Sequence, residues 1–213
     1  MSSDLSTNAT GRPAGPPEGA CADTLLGVAD RLMDRCPGHR VEIIGGVIRI
    51  APLPDASHAR TLTDLTLACV AAESHGAGPE VLQAIGLWLP TGPEDFAIPD
   101  LAVVDADFED HLAQFNCYAP EAFRLVVEVT YLNFQHDLRD KVTAYAEAGI
   151  PVYVIVDREH DRLRVLTDPV AGDYVNHRVH APGENVVLPD SIGAEVKLDV
   201  SAVLRAGEPK KDT

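Results

Sequence analysis

Residues 123–157 read FRLVVEVTYLNFQHDLRDKVTAYAEAGIPVYVIVD. The stretch holds an apolar run through Thr130 interrupted by one acid, Glu128, then a loop. A helical segment carrying Asp137 and Lys141 follows, a stop at Gly149, and a second apolar run ending at Asp157. Short β-rich runs on either side of a longer helical pattern predict a strand–helix–strand crossover, which pairs its strands in parallel and with right-handed connection. Glycine is the usual residue just past a helix, where the backbone turns left-handed. In the first strand the pleat puts Leu125, Val127 and Val129 on one face and Val126, Glu128 and Thr130 on the other. In the helix, Leu138, Val142 and Tyr145 form the inward stripe, with Lys141 at its border.

Upstream, Phe96–Val104 predicts a strand in which Pro99 marks a bulge or an edge, because proline cannot donate to the ladder. A bulge there would re-aim Asp100. Val81–Leu89 predicts another strand, and Asp105–Tyr118 an acidic, irregular segment with a short helix. Gly45-Gly46 between the runs of 40–51 signals a hairpin, with Glu42 in its first strand. Helices are predicted over Thr24–Arg35, capped by Asp23 or Thr24, and over Ser57–Glu73, capped by Ser57. The second has His58 in its first turn and a stripe of Leu62, Leu65, Thr66, Cys69 and Val70. Downstream, Arg162–Thr167, Asp173–Val179 and Asn185–Leu188 read as an antiparallel meander broken at Asp168-Pro169 and Ala181–Gly183, and a closing helix lies within Glu195–Leu204. The fold class is therefore α/β, a mixed sheet with flanking helices. The expected organisation is a polar N-terminal tail over residues 1–20, a single domain over 21–206 and a C-terminal tail over 207–213.

The 213 residues are 46% hydrophobic and 23% charged, as in a globular domain with a sizeable core. There is no apolar run of membrane-spanning length and no secretory leader pattern, so a cytoplasmic location without membrane contact is expected. Cys21, Cys36, Cys69 and Cys117 are widely spaced, which argues against a zinc knuckle. The net charge of −16 disfavours nucleic acid as a partner, since proteins that grip a polyanion show a basic stripe.

Glu128 is a charge within an apolar strand and needs a cation, a metal or a proton as partner. Asp137 and Lys141 are i and i+4 and share a helix face. Asp100 and Glu128, at the ends of neighbouring strands, would make an oxygen-rich pocket suited to Mg²⁺ or Mn²⁺. A lysine beside it would orient water or neutralise developing charge. Each residue also has a plainer reading. Asp137 and Lys141 can be a surface ion pair, Asp100 a turn acid, Glu128 half of a structural salt bridge, His58 a helix-start residue and Glu42 a solvent-facing strand residue. Tyr131 and Phe134 can be hydrophobic cover or a base-stacking platform.

The ordered set PDLAVV, LVVEVTY, Asp137-x-x-x-Lys141, Tyr145-Ala146, Ala148–Pro151 and Tyr153–Asp157 resembles the Uma2 family, with VEIIGGVI and the helix near His58 fitting its layout. That family is a restriction-endonuclease-like branch of the PD-(D/E)xK nuclease superfamily. The resemblance implies a restriction-endonuclease-like core over roughly Val41–Leu166 and a metal-dependent endonuclease. Asp100 and Glu128 would be the metal-binding acids, Lys141 the catalytic lysine and Asp137 the acid preceding it. Thr130 stands where the usual ExK pattern has its lysine, and Glu42 and His58 would be accessories near the metal. One departure is visible: the family's Ser-rich turn after the acid strand is replaced by Tyr131-Leu132-Asn133-Phe134, and the spacing to Asp137 is shorter. The altered loop and the acidic charge keep two rivals open, an enzyme acting on a small organic molecule with Glu128 as acid or base, and a non-catalytic binding module. A homodimer is expected of a duplex-cleaving enzyme, which needs two sites.

Overall fold

The computed structural model describes residues 24–52, 54–72, 78–130 and 135–206, without the side chains of 135–138. The predicted tails, Asp23 and the 131–134 loop with Tyr131 lie outside the described residues. In chain order the elements are α1 Leu25–Arg35, β1 Arg40–Ile44, β2 Val47–Ala51, α2 Ala56–Ala72, β3 Glu80–Gln83, β4 Gly86–Trp88, β5 Phe96–Ala97 and β6 Leu101–Val104. They continue with β7 Cys117–Tyr118, β8 Phe123–Val129, α3 Gln135–Glu147, β9 Val152–Asp157, β10 Arg162–Val170, β11 Asp173–His180, β12 Asn185–Val187, β13 Lys197–Asp199 and α4 Val200–Ala206. Among the described residues these build a six-stranded sheet ordered β11-β10-β9-β8-β6-β3, a five-stranded sheet ordered β2-β1-β5-β4-β7, and the pair β12-β13.

The predicted crossover is present: β8 and β9 pair in parallel, Leu125 opposite Val152 through Val129 opposite Val156. The pleat separates the faces as expected. Leu125, Val127 and Val129 pack with Leu65 and Cys69 of α2 and Val203 and Leu204 of α4. Val126 and Ile155 pack on the other side with Ala144 and Tyr145 of α3 and with Leu87 and Ala97 of the second sheet. Glu128 therefore lies on the α3 side, where the two sheets meet. Burying these aliphatic side chains supplies the main stabilisation, about 1.5–3 kcal/mol for each large one.

Several expectations need correction. Neither Val81–Leu89 nor Phe96–Val104 is one strand. Each breaks in the middle, and its halves enter different sheets: β3 pairs with β6, and β4 pairs with β5. Ala84 takes a left-handed conformation at φ 53° on one side of this corner. On the other, Pro99 cannot continue the ladder. Side chains of β1 satisfy the backbone there: Ile98 N–H donates to Glu42 Oε1 at 2.7 Å, and Arg40 Nη1 donates to Ile98 O at 2.9 Å. Asp100 thus sits at a corner between sheets, not at a bulge within one strand.

Thr24 caps α1, accepting from Gly27 N–H at 3.1 Å. α2 starts at Ala56, and Asp55, not Ser57, caps it by accepting from His58 N–H at 2.6 Å. Its buried face runs His58, Thr61, Leu65, Cys69, while Val70 is exposed. The Asp168-Pro169 pair lies inside β10, and the turn to β11 falls at Ala171-Gly172, whose φ values of 51° and 82° suit a two-residue hairpin. The Gly45-Gly46 turn is as predicted, and both its N–H groups donate to Asp95, at 2.7 and 3.0 Å. Cys36, Cys69 and Cys117 form no disulfide. No helix among the described residues is long and apolar enough to cross a membrane.

Asp157 closes β9. It receives Arg164 Nη2 at 2.6 Å and His160 N–H at 3.2 Å, and His160 Nδ1 lies 2.9 Å away. Burial would raise its pKa, but these hydrogen bonds outweigh burial and hold it below the usual carboxylate range. A carboxylate whose folded pKa is depressed stabilises above its unfolded value and loses that contribution as pH falls through the folded one. Asp157→Asn should therefore cost about 1 kcal/mol at neutral pH, its partners being half-exposed, and flatten part of the stability loss below about pH 4. Urea unfolding across that pH range checks this; parallel acid limbs for variant and wild type would refute it.

Candidate functional site

β1, the sheet corner, β8, α2 and α3 each deliver a side chain to one place. Arg40 and Glu42 are two apart on β1 and so share a face. Their neighbours Val41 and Ile43 face away into an apolar cluster with Ala29 and Phe96. Lys141 and Tyr145 are one turn apart on α3. Glu128 comes from the end of β8, Asp100 from the corner just before β6 and His58 from the first turn of α2.

The contacts are direct. Lys141 Nζ donates to Glu128 Oε1 at 2.8 Å and to Glu42 Oε1 at 3.1 Å. Tyr145 Oη donates to Glu128 Oε1 at 2.8 Å. Asp100 Oδ1 receives Arg40 Nη1 at 2.7 Å. Asp100 Oδ2 receives Val129 N–H at 2.8 Å and lies 3.0 Å from His58 Nε2. Arg40 Nη2 is 3.9 Å from Glu128 Oε2, and Arg40 Nε is 3.9 Å from Glu42 Oε2. Glu42, Asp100, Glu128, Lys141 and His58 are all buried. Three carboxylates thus face two permanent cations in a low-dielectric setting, which is sustainable only because each is paired and hydrogen-bonded.

The electrostatics divide the two acids. Burial would raise Asp100, but the His58 contact, the Arg40 guanidinium and the Val129 N–H outweigh it and hold Asp100 at about 2. Burial, reinforced by the charges of Asp100 and Glu42, pushes Glu128 up to about 7 against the pull of Lys141 and Arg40. Burial also works against the charge of Lys141, yet Glu128 and Glu42 outweigh it and raise its pKa above the ordinary lysine value. One acid is firmly ionised, the other sits near neutrality, and the lysine stays an ammonium.

The cluster opens on a partly open cavity of about 620 Å³ with mostly apolar walls, among them Pro54, Leu62, Ile98 and Val129. Thr130 also lines it, but its hydroxyl ties strand ends together, donating to Val156 O at 3.1 Å and accepting from Arg158 N–H at 3.3 Å.

The structure brings together Glu42, His58, Asp100, Glu128 and Lys141, with Thr130 at the cavity wall. Asp137 lies on α3 with its side chain outside the described set, and Tyr131 lies outside the described residues altogether. Glu42 does not face solvent, and Lys141 is central to the buried stripe, not at its border. Sequence reasoning passed over Arg40 and gave Tyr145 only a packing role. The one available signal for Arg40 was its i, i+2 spacing to Glu42 on a strand.

The donor chemistry suits a hard cation. Asp100 and Glu128 offer carboxylate oxygens, which Mg²⁺ and Mn²⁺ prefer. A guanidinium already stands among these oxygens, a sign that the position attracts positive charge. Among the described residues no group of three His, Cys, Asp or Glu side chains is arranged to hold an ion. Among the described side chains, Asp100 and Glu128 would hold such an ion, with Glu42 Oε2 facing the same guanidinium and non-protein ligands completing the set.

The fold is of the α/β restriction-endonuclease-like class. The model of the Uma2 family, described as "Putative restriction endonuclease", matches residues 29–201, and the chain belongs to that family. Among solved structures, the chain is similar to "a putative nuclease belonging to DUF820" from Anabaena variabilis ATCC 29413. The TM-score is 0.63 at 14% identity, over 79% of this chain and 91% of that one, a likeness of fold. No curated protein matches the chain.

Lys141→Met leaves Glu42 and Glu128 facing each other without their ammonium, and should cost about 3–5 kcal/mol of stability. Adding Glu128→Gln should recover part of that loss. Denaturant unfolding of the single and double variants measures both; additive losses would show that Lys141 and Glu128 are not coupled.

Proposed function

We propose that the protein is a nuclease, a hydrolase of phosphodiester bonds in nucleic acid that works with Mg²⁺ or Mn²⁺. The observation that carries this reading is the convergence of Asp100, Glu128 and Lys141 in the wall of one cavity, in a member of the Uma2 family. Asp100 and Glu128 would hold the metal. Such an ion, when bound, polarises a phosphoryl oxygen and lowers the pKa of water.

The chain's own residues do the rest. Asp100 is kept ionised by its contacts with His58 and the Val129 N–H. Tyr145 and Lys141 fix Glu128 through one oxygen and leave the other facing only the Arg40 guanidinium at 3.9 Å. Glu42 holds the Lys141 ammonium beside Glu128, and through Ile98 N–H it also holds the corner that carries Asp100. Lys141, permanently charged, is placed to orient a nucleophilic water and to stabilise charge building on the phosphate. Asp137, one turn before Lys141, belongs to the same proposal as an orienting acid. The bulk charge of −16 leaves phosphate recognition to local cations, chiefly Arg40 and Lys141. A cytoplasmic homodimer, giving one site per strand of a duplex, completes the reading.

A second reading is favoured by the apolar walls of the cavity. They suit a small organic molecule, with Glu128, poised at about 7, as general acid or base. A non-catalytic binding module is the third; the intact set of acids and lysine weighs against it.

The test is incubation of the purified protein with single- and double-stranded DNA and RNA in Mg²⁺ or Mn²⁺. Cleavage is expected, and Asp100→Asn, Glu128→Gln and Lys141→Ala should each lower it about 100-fold or more. Absence of cleavage on all four substrates with either metal would overturn the nuclease reading and turn attention to small molecules.

A further inference from the structure

Counting the carboxylate oxygens of the cluster shows which remain available. Asp100 Oδ2 is engaged by the Val129 N–H and by His58. Glu128 Oε1 is engaged by Lys141 and Tyr145. Glu42 Oε1 is engaged by Lys141 and the Ile98 N–H. The oxygens left are Asp100 Oδ1, Glu128 Oε2 and Glu42 Oε2. All three face the guanidinium of Arg40, at 2.7, 3.9 and 3.9 Å. Arg40 is also the more accessible of the two cations. Its side chain is 24% exposed against 3% for Lys141, and it lines the cavity.

We propose that Arg40 is a resident cation in the metal position, exchanged for a divalent ion and then turned into the cavity to bind the substrate's phosphodiester. The inference rests on the metal-dependent reading above and deepens it. Two positive groups cannot share these oxygens: like charges within a few ångströms repel strongly in a site shielded from water. The arginine gives up its short bonds to Asp100 and to the Ile98 carbonyl and two longer contacts to the glutamates, leaving the Ile98 carbonyl to water at the cavity wall, and its long stem lets the guanidinium swing without moving β1. In the cavity it meets the group it is shaped for, since a guanidinium pairs with phosphate oxygens through two parallel bonds. In the absence of metal it keeps three carboxylates from facing one another with only Lys141 between them. Lys141 cannot make this exchange, because it is buried between Glu42 and Glu128 and engages the other oxygens of both.

The signature is a pair of effects of opposite sign. Calorimetry with Mn²⁺ alone should show Arg40→Met binding the ion about tenfold or more tighter than wild type, because the competing charge is gone, while Arg40→Lys stays near wild type. In saturating Mn²⁺, Arg40→Met should bind the diester bis(p-nitrophenyl) phosphate several-fold more weakly. Wild type that binds Mn²⁺ with Arg40→Met no tighter would overturn the exchange while leaving the nuclease reading in place. Unchanged diester affinity would overturn the phosphate role. Absence of Mn²⁺ binding in every form would overturn the metal-dependent reading and this inference with it. Should Arg40→Met not fold, wild type alone decides: the Arg40 Nε–Hε resonance should shift as Mg²⁺ saturates the protein, and a stationary signal refutes the exchange.

Discussion

The ammonium of Lys141, enclosed between Glu42 and Glu128, is the interaction on which the site depends. A buried carboxylate without a partner is too costly to keep charged, and two facing each other are worse. Lys141 resolves this for both glutamates at once, and Tyr145 adds a neutral donor to the same oxygen of Glu128. The chain separation between Lys141 and Glu42 is 99 residues, so a single ammonium fastens the N-terminal hairpin to the crossover helix. Electrostatic demand and tertiary assembly are here one event.

The same economy shapes the sheet corner. Breaking two strands would leave backbone groups unpaired where water is scarce, a costly arrangement. Glu42 and Arg40 satisfy both polar groups of Ile98, so the residues that shape the site also hold the bend that presents Asp100 to it. Proline permits the break and the β1 side chains stabilise it. The corner turns Asp100 toward Glu128, a juxtaposition that one continuous strand would not have produced.

An acidic protein with a nuclease fold is less of a contradiction once the charges are placed. Bulk charge governs long-range steering and falls off over about 10 Å in ordinary salt, whereas groups inside a cavity act at contact distance. Arg40 and Lys141 stand at the cavity, while acids such as Asp140, Asp173 and Glu184 lie on the surface. The net charge bears on how fast a polyanion would arrive, and the local cations on whether it would be held.

Much of the architecture was legible before any coordinates. Apolar period and turn residues revealed the crossover, the Gly45-Gly46 hairpin, the faces of β8 and the anomaly of Glu128, because these are local properties of a strand or helix. Asp100 beside its proline and Lys141 on the helix were legible as partners of Glu128, and resemblance added Glu42 and His58; these residues do meet in space. The sequence could not show that the strands around Ala84 and Pro99 divide between two sheets, that Lys141 is enclosed, or that Arg40 covers the free oxygens of the acids. Those facts depend on pairings between distant segments, and no local pattern encodes which oxygen of a carboxylate a remote side chain will take. The sequence by itself determined the elements and the chemical groups they carry. Tertiary structure alone decided how those groups share their hydrogen bonds, because only in the folded core does water cease to satisfy them.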